Sequence, residues 1–322
     1  MLECFSDKSV LVVGDFIVDH YRHLEPVKVS PEAPIVVFAN GIDEFRPGGA
    51  ANVAMNMAAM GAKEVFLLGV VGCDYGNELD FLSKRVTPML VPDVSRMTTV
   101  KERLVNGRHQ IARIDTKKSG YVSSLSVERM MNLASGVIGV VDAIVFSDYH
   151  HGALPHFFCR SVINSANGRV PIVVDTKSPE IDKYAGADIV LPNNVEARMI
   201  LKDDAEDWEV PGLLMEKMQA KAIGMTMGSK GILLHDETGE WMFPALDIGE
   251  RAIDATGAGD VVTASVASCL ACGLGVHDAM VVANIAAGIS VTKWGTSVVQ
   301  IEELEQAITK DFERLKKEAR DV

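Results

Sequence analysis

The sequence predicts an α/β fold in which a mostly parallel sheet is covered by helices on both faces. Short aliphatic runs such as Val10–Val13 alternate along the chain with longer stretches of helical spacing such as Ala50–Met60. Runs that are apolar on both sides are typical of strands buried in a parallel sheet. Strands that alternate with helices are connected as parallel α/β units.

The individual elements follow from the same two patterns. The predicted strands are Val10–Val13, Glu64–Val71, Ala143–Phe146, Pro171–Val174, Ile189–Leu191 and Ile223–Met227. The predicted helices include Ala50–Met60, Val127–Val137, Leu213–Ala220, Val261–Leu270 and Glu302–Arg320. The last of these carries its acidic residues early and its basic residues late, which suits the helix dipole.

Two segments depart from this rhythm. Tyr21–Phe38 and Thr98–Arg113 alternate between apolar and polar residues, as half-exposed antiparallel strands do. We expect them to form a small sheet beside the main domain, a lid built from segments at about 20–45 and 97–115.

Composition excludes several classes of function. The chain has 31 Lys and Arg against 44 Asp and Glu, a net charge of -13. Sequence-independent nucleic-acid binding requires a basic surface, so it is disfavoured. No uncharged apolar run reaches the length of about 20 residues that spans a membrane. With an odd count of five Cys and no signal-peptide pattern at its start, the chain is expected to be cytoplasmic and reduced.

Standard fingerprints of other classes are missing. There is no GxGxxG after the first strand, which disfavours a Rossmann dehydrogenase, and no GxxxxGK[ST] of a Walker-A NTPase. Cys269 and Cys272 form a CxxC pair, but the surrounding stretch is apolar and no second pair follows. We interpret this pair as part of a core helix rather than a redox or metal site.

The strongest local signal is the segment from Asp254 to Asp260, DATGAGD, ahead of an apolar helix. Backbone N–H groups of Gly257, Ala258 and Gly259 can converge at the helix start, where the dipole favours an anion. Asp260 in the first turn can then accept a proton from an attacking hydroxyl while the N–H groups hold transferring phosphoryl charge. An ordinary helix start, with Asp260 in a capping role, is the alternative.

Three further motifs place glycines and polar residues at the ends of predicted strands and helices. Gly48 and Gly49 precede a helix on which Asn52 offers a donor and an acceptor. Asn193 and Glu196, three apart at a helix start, suit either a hydrated Mg²⁺ or a simple capping arrangement. In the fourth motif a strand ending at Thr226 is followed by a turn with Gly228 and Gly231.

Together these motifs, in this order, resemble the ribokinase-like (PfkB) family of sugar kinases over essentially the whole chain. The resemblance implies one domain, 1–322, folded as a ribokinase-like three-layer α/β/α sandwich with a mostly parallel central sheet and a small β-sheet lid. It implies ATP as the phosphoryl donor, bound along Thr226, Gly228 and Gly231 with Asn284 and Gly288 near the adenine. It also implies Mg²⁺ organised by Asn193 and Glu196, and a monovalent cation such as K⁺ near Asp254.

On the acceptor side the resemblance implies sugar contacts from Asp15, Asp19, Gly48, Gly49 and Asn52. More narrowly, Ser147-Asp148-Tyr149, Lys101-x-Arg103 and Gly295-Thr296-Ser297 resemble the stand-alone kinases of D-glycero-β-D-manno-heptose 7-phosphate. That branch phosphorylates the anomeric hydroxyl on the way to ADP-heptose for lipopolysaccharide. His151 departs from it, because many members have Lys there.

Binding a sugar phosphate to so acidic a protein requires a local basic pocket. Lys101, Arg103, Arg108 and Arg113 cluster in the lid segment and Lys177 follows a strand, so we expect this group to serve the 7-phosphate. A solvated lid edge is the alternative for each. In related kinases two lids often pack together, which predicts a homodimer. A kinase of another sugar, sugar phosphate or nucleoside, and a non-catalytic sugar-binding regulator on the same fold, remain competing interpretations.

Overall fold

In the computed structural model, which describes residues 3–74, 81–117, 120–203 and 205–321, the strands form two sheets. The large sheet has the order β14-β13-β12-β11-β10-β9-β8-β1-β4-β5. Its strands are β1 (Ser9–Gly14), β4 (Glu64–Gly72), β5 (Val86–Asp93), β8 (Ala143–Asp148), β9 (Ile172–Thr176), β10 (Ile189–Val190), β11 (Ile223–Thr226), β12 (Gly231–Asp236), β13 (Gly239–Pro244) and β14 (Arg320–Asp321). Pairing is parallel from β5 to β11 and antiparallel from β11 to β14.

The small sheet is the predicted lid. It has the order β3-β2-β6-β7, made of β2 (Phe16–Val29), β3 (Val36–Gly49), β6 (Thr99–Asn106) and β7 (His109–Thr116). The parallel pair β2–β6 sets Asp19 opposite Lys101 and Tyr21 opposite Arg103. Because facing residues project to the same side of a sheet, these four side chains share one face of the lid.

Helices cover both faces of the large sheet. They are α1 (Ala50–Ala59), α2 (Ser124–Val137), α3 (His156–Ala166), α4 (Asn194–Leu201), α5 (Val210–Met218), α6 (Ala258–Ala271), α7 (Val276–Ser290) and α8 (Ile301–Glu318). Strand β1 shows why two layers are needed. Its Val10 and Val12 pack into one core with α1, α6 and α7, whereas Leu11 and Val13 pack into the other with α2 and α3. Both faces of the strand are therefore buried, as its unbroken apolar run predicted.

The three-layer architecture and the lid confirm the predicted fold class. Several edge elements were not predicted. Strand β5 contains Pro88 and Pro92. Proline lacks a backbone donor and therefore argues against a strand in a sequence pattern, although an edge strand tolerates it. The hairpin of β12 and β13, and the pairing of β14, extend the sheet beyond its parallel part.

Two smaller expectations can be compared directly. Cys269 is fully buried in α6, as expected for a core helix. Among the described helices, none combines the length and the apolar character that crossing a membrane requires.

Candidate active site

Polar residues collect where the parallel strands end at one edge of the large sheet. Asp15 follows β1, Tyr149 follows β8, Lys177 follows β9 and Asn193 follows β10. Ligands of open α/β sheets bind beyond the carboxyl ends of the strands. The candidate site is therefore located by the topology, and the start of α6 is packed against it.

The glycine-rich turn leads directly into α6. Gly257 is the residue before the helix and has φ 81°, which glycine adopts without strain. A Cβ at this position would lie 2.8 Å from Nδ2 of Asn52, so a side chain is excluded by space as well. The N–H of Ala258 is engaged with the carbonyl oxygen of Ala255 at 3.2 Å. First-turn N–H groups have no acceptor within their own helix, which makes this turn a place for an anion.

Asp260 lies in that first turn and is 2% exposed. Its Oδ2 accepts a hydrogen bond from Asn52 Nδ2 at 2.7 Å, and its Oδ1 accepts one from the Tyr149 hydroxyl at 2.8 Å. Burial raises the pKa of the Asp260 carboxyl, while Lys177, Asn52 and Tyr149 oppose that rise. A buried carboxylate held by two donors is suited to accept a proton from a third group.

A cavity of about 240 Å³ opens beside Asp260. Three cationic side chains (Lys101, Arg103 and Lys177) and four carboxylates (Asp19, Asp175, Glu196 and Asp260) line it. The other predicted site residues that line it are Gly49, Asn193, Thr226, Gly257 and Gly259. We call it the acceptor cavity, since it combines a proton acceptor with cations.

The lid supplies one wall of the acceptor cavity. Arg103 forms a buried ion pair with Asp19 across the two central lid strands. Gly48 lies beside this pair, since a Cβ there would lie 2.6 Å from Oδ2 of Asp19. Burial lowers the pKa of Lys101, and the nearby Asp19 carboxylate opposes that effect.

Arg46 ties the lid to the loop that carries the Gly295-Thr296-Ser297 motif. Its Nη1 donates to the carbonyl oxygen of Trp294 at 2.9 Å, and its guanidinium lies over the Tyr21 ring, 5.0 Å from the centroid. The N–H of Gly295 in turn donates to Oδ2 of Asp254 at 3.0 Å. The loop at Trp294 and Gly295 therefore contacts both the lid, through Arg46, and the glycine-rich turn, through Asp254.

A larger cavity of about 750 Å³ lies on the other side of the glycine-rich turn. All five residues predicted to bind the nucleotide line it: Thr226, Gly228, Gly231, Asn284 and Gly288. Thr226 and Gly259 line both cavities, so the two spaces meet at the start of α6. We call this larger space the nucleotide cavity because its volume and position suit a mononucleotide whose phosphates point at Asp260.

The Asn193 and Glu196 pair forms a capping box at the start of α4. Asn193 Oδ1 accepts from the N–H of Glu196, and Glu196 Oε2 accepts from the N–H of Asn193, both at 2.9 Å. The other carboxylate oxygen, Oε1, lies 3.6 Å from Lys177 Nζ at the acceptor cavity. The capping alternative is thus realised, and one oxygen stays directed toward the site.

Asp254 is held inside the glycine-rich turn. Its Oδ1 accepts from the N–H and the hydroxyl of Thr256, and its Oδ2 accepts from Gly295. Among the described residues, no group of three or more His, Cys, Asp or Glu side chains converges as a metal site. A cation contact of Asp254 stays a prediction.

Four predicted acceptor residues do not line the cavity: Asp15, Gly48, Asn52 and Arg113. Gly48 lies beside Asp19 and Asn52 donates to Asp260, and both of those carboxylates do line it. Asp15 is buried and accepts hydrogen bonds from the N–H groups of Tyr149, His151 and Ala153. Arg113 lies on the outer lid strand β7, half-exposed and paired with Asp115 at 2.8 Å. Its strand is the sheet edge, so its neighbour on one side is solvent rather than the site.

The cavity also contains groups that the sequence analysis did not assign. Asp175 lies at the end of β9, 5% exposed, and burial raises the pKa of its carboxyl to about 7, with the Asp260 charge adding to the rise. Thr296 and Tyr149 line the cavity as well. For Asp175 and Tyr149 the available signal was their place at the carboxyl ends of predicted strands.

Comparison with known proteins agrees with this geometry. The model of the "pfkB family carbohydrate kinase" matches residues 7–303. The "Bifunctional protein HldE" of Sulfurimonas denitrificans is 34% identical over 316 residues, which cover 95% of this chain and 65% of that protein. The same-named protein of Campylobacter jejuni subsp. jejuni serotype O:6 is 35% identical over 322 residues, covering 98% of this chain and 68% of that protein. The chain spans about two thirds of the length of these relatives.

Solved structures with the same fold include kinases of two kinds. A mutant of phosphofructokinase-2 from Escherichia coli superposes with a TM-score of 0.76 at 14% identity, covering 96% of this chain and 98% of that one. Ribokinase from Thermotoga maritima superposes with a TM-score of 0.73 at 21% identity, covering 94% and 100%. At these identities the likeness establishes the fold.

Proposed function

Because this chain belongs to the pfkB family of carbohydrate kinases, we propose that it phosphorylates the anomeric hydroxyl of D-glycero-β-D-manno-heptose 7-phosphate. The protein is an ATP-dependent sugar kinase. In this proposal the product is the heptose 1,7-bisphosphate, an intermediate on the way to ADP-heptose.

The observation that carries the proposal is the set of cationic side chains at the acceptor cavity. The whole chain has a net charge of -13, yet Lys101, Arg103 and Lys177 all face a space of about 240 Å³. Arg103 is already paired with Asp19. Among the residues that the structure describes, Lys177 has one ion-pair partner within 4 Å, Glu196 at 3.6 Å, and Lys101 has none. The same lining holds four carboxylates, Asp19, Asp175, Glu196 and Asp260, so the support for a phosphorylated sugar is not a net positive charge but the direct contacts that Lys101 and Lys177 can make with its phosphate through charge-assisted hydrogen bonds.

The proposed chemistry is an in-line transfer at the junction of the two cavities. Asp260 takes the proton of the anomeric hydroxyl as that oxygen attacks the γ-phosphorus, and the proton ends on the carboxylate. The bond from the γ-phosphorus to the β,γ-bridging oxygen breaks, and ADP leaves with that bonding pair. The main-chain N–H groups of Gly257 and Gly259 hold the transferring oxygens, because the N–H of Ala258 between them is engaged with Ala255. Asn52 and Tyr149 keep the carboxylate oriented throughout.

The nucleotide would lie in the larger cavity with its phosphates toward Gly259. Mg²⁺ commonly binds one or two carboxylates together with phosphate oxygens. Glu196 offers one carboxylate oxygen beside the place expected for the phosphates, so the residues present fit a hydrated Mg²⁺. When bound, Mg²⁺ neutralises charge on the β- and γ-phosphates. A phosphofructokinase-2 structure was solved with potassium, and a K⁺ near Asp254 is proposed here by analogy.

We also propose a homodimer that packs through the lid. Phe45 and Ile114 are exposed on the lid face opposite to Lys101, in one row across the sheet with His20 and Glu102. Exposed apolar side chains on a sheet face, such as Phe45 and Ile114 at the two ends of this row, are a surface that proteins usually cover. A second copy related by a two-fold axis would present the same row to it.

An ADP-release assay on purified protein tests the proposed substrate. The panel contains the heptose 7-phosphate, fructose 6-phosphate, ribose and adenosine, each with ATP and Mg²⁺. The proposal expects the highest kcat/KM with the heptose 7-phosphate and product phosphorylated at the anomeric position. A higher kcat/KM with any other member would replace the heptose by that acceptor.

A further inference from the structure

Tyr149 touches the carboxylate that the proposed mechanism uses as its base. It is partly buried in the loop after β8 and lines the acceptor cavity. Its hydroxyl donates to Oδ1 of Asp260 at 2.8 Å. Two ammonium groups lie over its ring, that of Lys177 at 3.5 Å from the centroid and that of Lys101 at 4.6 Å. Attraction between a cation and an aromatic face helps to keep the ring in place.

The backbone of Tyr149 is fixed by a separate set of contacts. The N–H groups of Tyr149, His151 and Ala153 converge on the carboxylate of Asp15, at 2.9, 3.0 and 3.1 Å. His150, between the first two, has φ 58°, a left-handed conformation that the surrounding contacts must impose. Asp15 therefore acts as a clamp on this loop, and the tyrosine is positioned before any substrate enters.

A second buried network anchors the strand end that precedes the loop. Oδ2 of Asp148 accepts from the hydroxyl of Tyr184 and pairs with Lys183, each at 2.7 Å, and Oδ1 accepts from the N–H of His150 at 2.9 Å. Asp148 and Lys183 are both almost fully buried. Breaking a buried pair of this kind is strongly destabilising, so the loop has little freedom to move.

The donors on Asp260 leave a defined set of acceptor positions free. Each carboxylate oxygen can accept about two hydrogen bonds. Asn52 uses one position on Oδ2 and Tyr149 uses one on Oδ1, so a position on each oxygen remains for a sugar hydroxyl. Burial, and then the Asp260 charge, raise the pKa of the Tyr149 phenol well above its ordinary value, so the phenol keeps its proton and acts as a donor.

We propose that Tyr149 is a positioning residue for phosphoryl transfer, whose hydroxyl orients the Asp260 carboxylate and keeps it ionised. This rests on the proposed role of Asp260 as base, but not on which sugar is the acceptor. Both donors favour the charged form of the carboxylate, because a hydrogen bond to an ion is stronger than one to a neutral acid. Without the phenol, Asp260 would hold its proton to a higher pH and would rotate more freely.

Several charged groups act on Asp260 besides the phenol. They come from the lid, the strand ends and α4, and they are Asp19, Lys101, Asp175, Lys177 and Glu196. Tyr149→Phe leaves all of them in place and keeps the ring under both lysines. The substitution therefore isolates one hydrogen bond.

The experiment is a pH titration of Asp260 without substrate. Infrared difference spectra between the protein and its Asp260→Asn variant show the protonated carboxyl band of Asp260, and the same difference is taken in a Tyr149→Phe background. We expect the midpoint of this band to move to higher pH by about one unit, the size expected for one charge-assisted hydrogen bond. The same midpoint in both backgrounds would overturn the proposal.

The matched control is Tyr184→Phe. It also removes a phenol hydroxyl that donates to a buried carboxylate, but the carboxylate is Asp148, outside the acceptor cavity lining. A purely structural effect would lower the melting temperature of both variants and leave the Asp260 midpoint unchanged in both. The proposal requires the shift in Tyr149→Phe and none in Tyr184→Phe, and an equal shift in both would contradict it.

Kinetics on the acceptor chosen by the ADP-release panel give the second readout. The acid limb of kcat should move to higher pH in Tyr149→Phe with the KM for ATP within about twofold of wild type. If the infrared midpoint of Asp260 shifts but the acid limb of kcat does not, the Tyr149–Asp260 hydrogen bond is retained and Asp260 is excluded as the base. If the heptose 7-phosphate fails as an acceptor, the infrared midpoint still decides the role of Tyr149.

Discussion

The side-chain amide of Asn52 and the carboxylate of Asp260 are joined by a 2.7 Å hydrogen bond across 208 positions of the chain. Asn52 is itself held by Asn56, whose Nδ2 donates to its carbonyl oxygen at 3.0 Å one helical turn away. The space beside this bond is so narrow that Gly257 could not carry a Cβ. The N-terminal and C-terminal glycine motifs are therefore two halves of one site.

The first prediction concerns the proton acceptor. Asp260→Asn should lower kcat by about 10²- to 10⁴-fold, the usual effect of losing a positioned base. The amide has nearly the same shape, so ATP binding measured by calorimetry should stay near wild type. A kcat close to wild type in a folded variant would exclude Asp260 as the base.

The second prediction concerns the pH dependence of stability. The pKa of Asp175 is raised to about 7 in the folded protein from an ordinary value of 3.8, chiefly by burial. Between pH 3.8 and pH 7 the folded state binds more protons than the unfolded state. The contribution of Asp175 to the free energy of unfolding is therefore lost as pH rises toward 7. Asp175→Asn should thus be more stable than wild type at pH 8, on the order of 1–3 kcal/mol, and close to it at pH 4.

Asp93 is the control for this measurement, because its pKa is shifted in the opposite direction. Asp93 accepts hydrogen bonds from the N–H groups of Ser95 and Ser123 and from the Ser126 hydroxyl, and these hold the pKa of its carboxyl far below the ordinary value. Its contribution is present at neutral pH and is lost as pH falls. Urea unfolding of Asp93→Asn should show a loss of stability at pH 8, and a gain there would contradict the sign of the argument.

The third prediction separates the lid cations. Lys101→Met should raise the KM for the sugar phosphate by about 10- to 100-fold, since a charge-assisted contact to phosphate is lost. Arg113→Met should change it by less than about threefold, because Arg113 lies outside the cavity lining in an exposed pair. Initial-rate measurements at saturating ATP compare the two. An equal rise in KM for both variants would mean that the phosphate does not bind at Lys101.

The fourth prediction concerns Mg²⁺. Glu196→Gln should raise the Mg²⁺ concentration needed for half-maximal rate by about tenfold, and leave sugar binding unchanged, because Gln keeps the capping bond but not the charge. Glu303→Gln is the matched control, since Glu303 closes the equivalent capping box of α8 far along the chain. A Mg²⁺ titration that shifts equally in both variants would contradict a role for Glu196.

The fifth prediction concerns assembly. Light scattering should give about twice the chain mass of 34.8 kDa. Ile114→Asp should give the single-chain mass, because it replaces one of the exposed apolar side chains on this lid face by a charge. Asp substituted for the exposed Val140 on the opposite side of the fold, after α2, should leave the mass unchanged. A wild-type monomer at working concentration would exclude the dimer.

Much of the architecture could be predicted from local patterns. A strand buried on both faces has to be apolar throughout, so β1, β8 and β9 were predictable from short runs of sequence. The lid was predictable because a half-exposed sheet alternates. Strand β5 was not, because its two prolines and exposed residues reflect an edge position that only the assembled sheet defines.

The candidate site divides in the same way. The sequence by itself determined the glycine-rich turn and Asp260 in the first turn of α6, since glycines ahead of an apolar helical stretch are a local signal for such a turn. It could not distinguish Asp15 from Asp19, two carboxylates four positions apart. Only the tertiary structure decided that Asp15 clamps a loop through three N–H groups whereas Asp19 faces the cavity beside Arg103.

The physical reason is that a side chain's role depends on what surrounds it. Tyr149 and Asp175 are each placed by strand ends, and their environments come from elements far away in the chain. Tyr149 meets Asp260, 111 positions later, and the two lysines over its ring only when β6, β8, β9 and α6 have packed. Local patterns determine which elements form, but long-range packing decides which polar groups meet and with what charge.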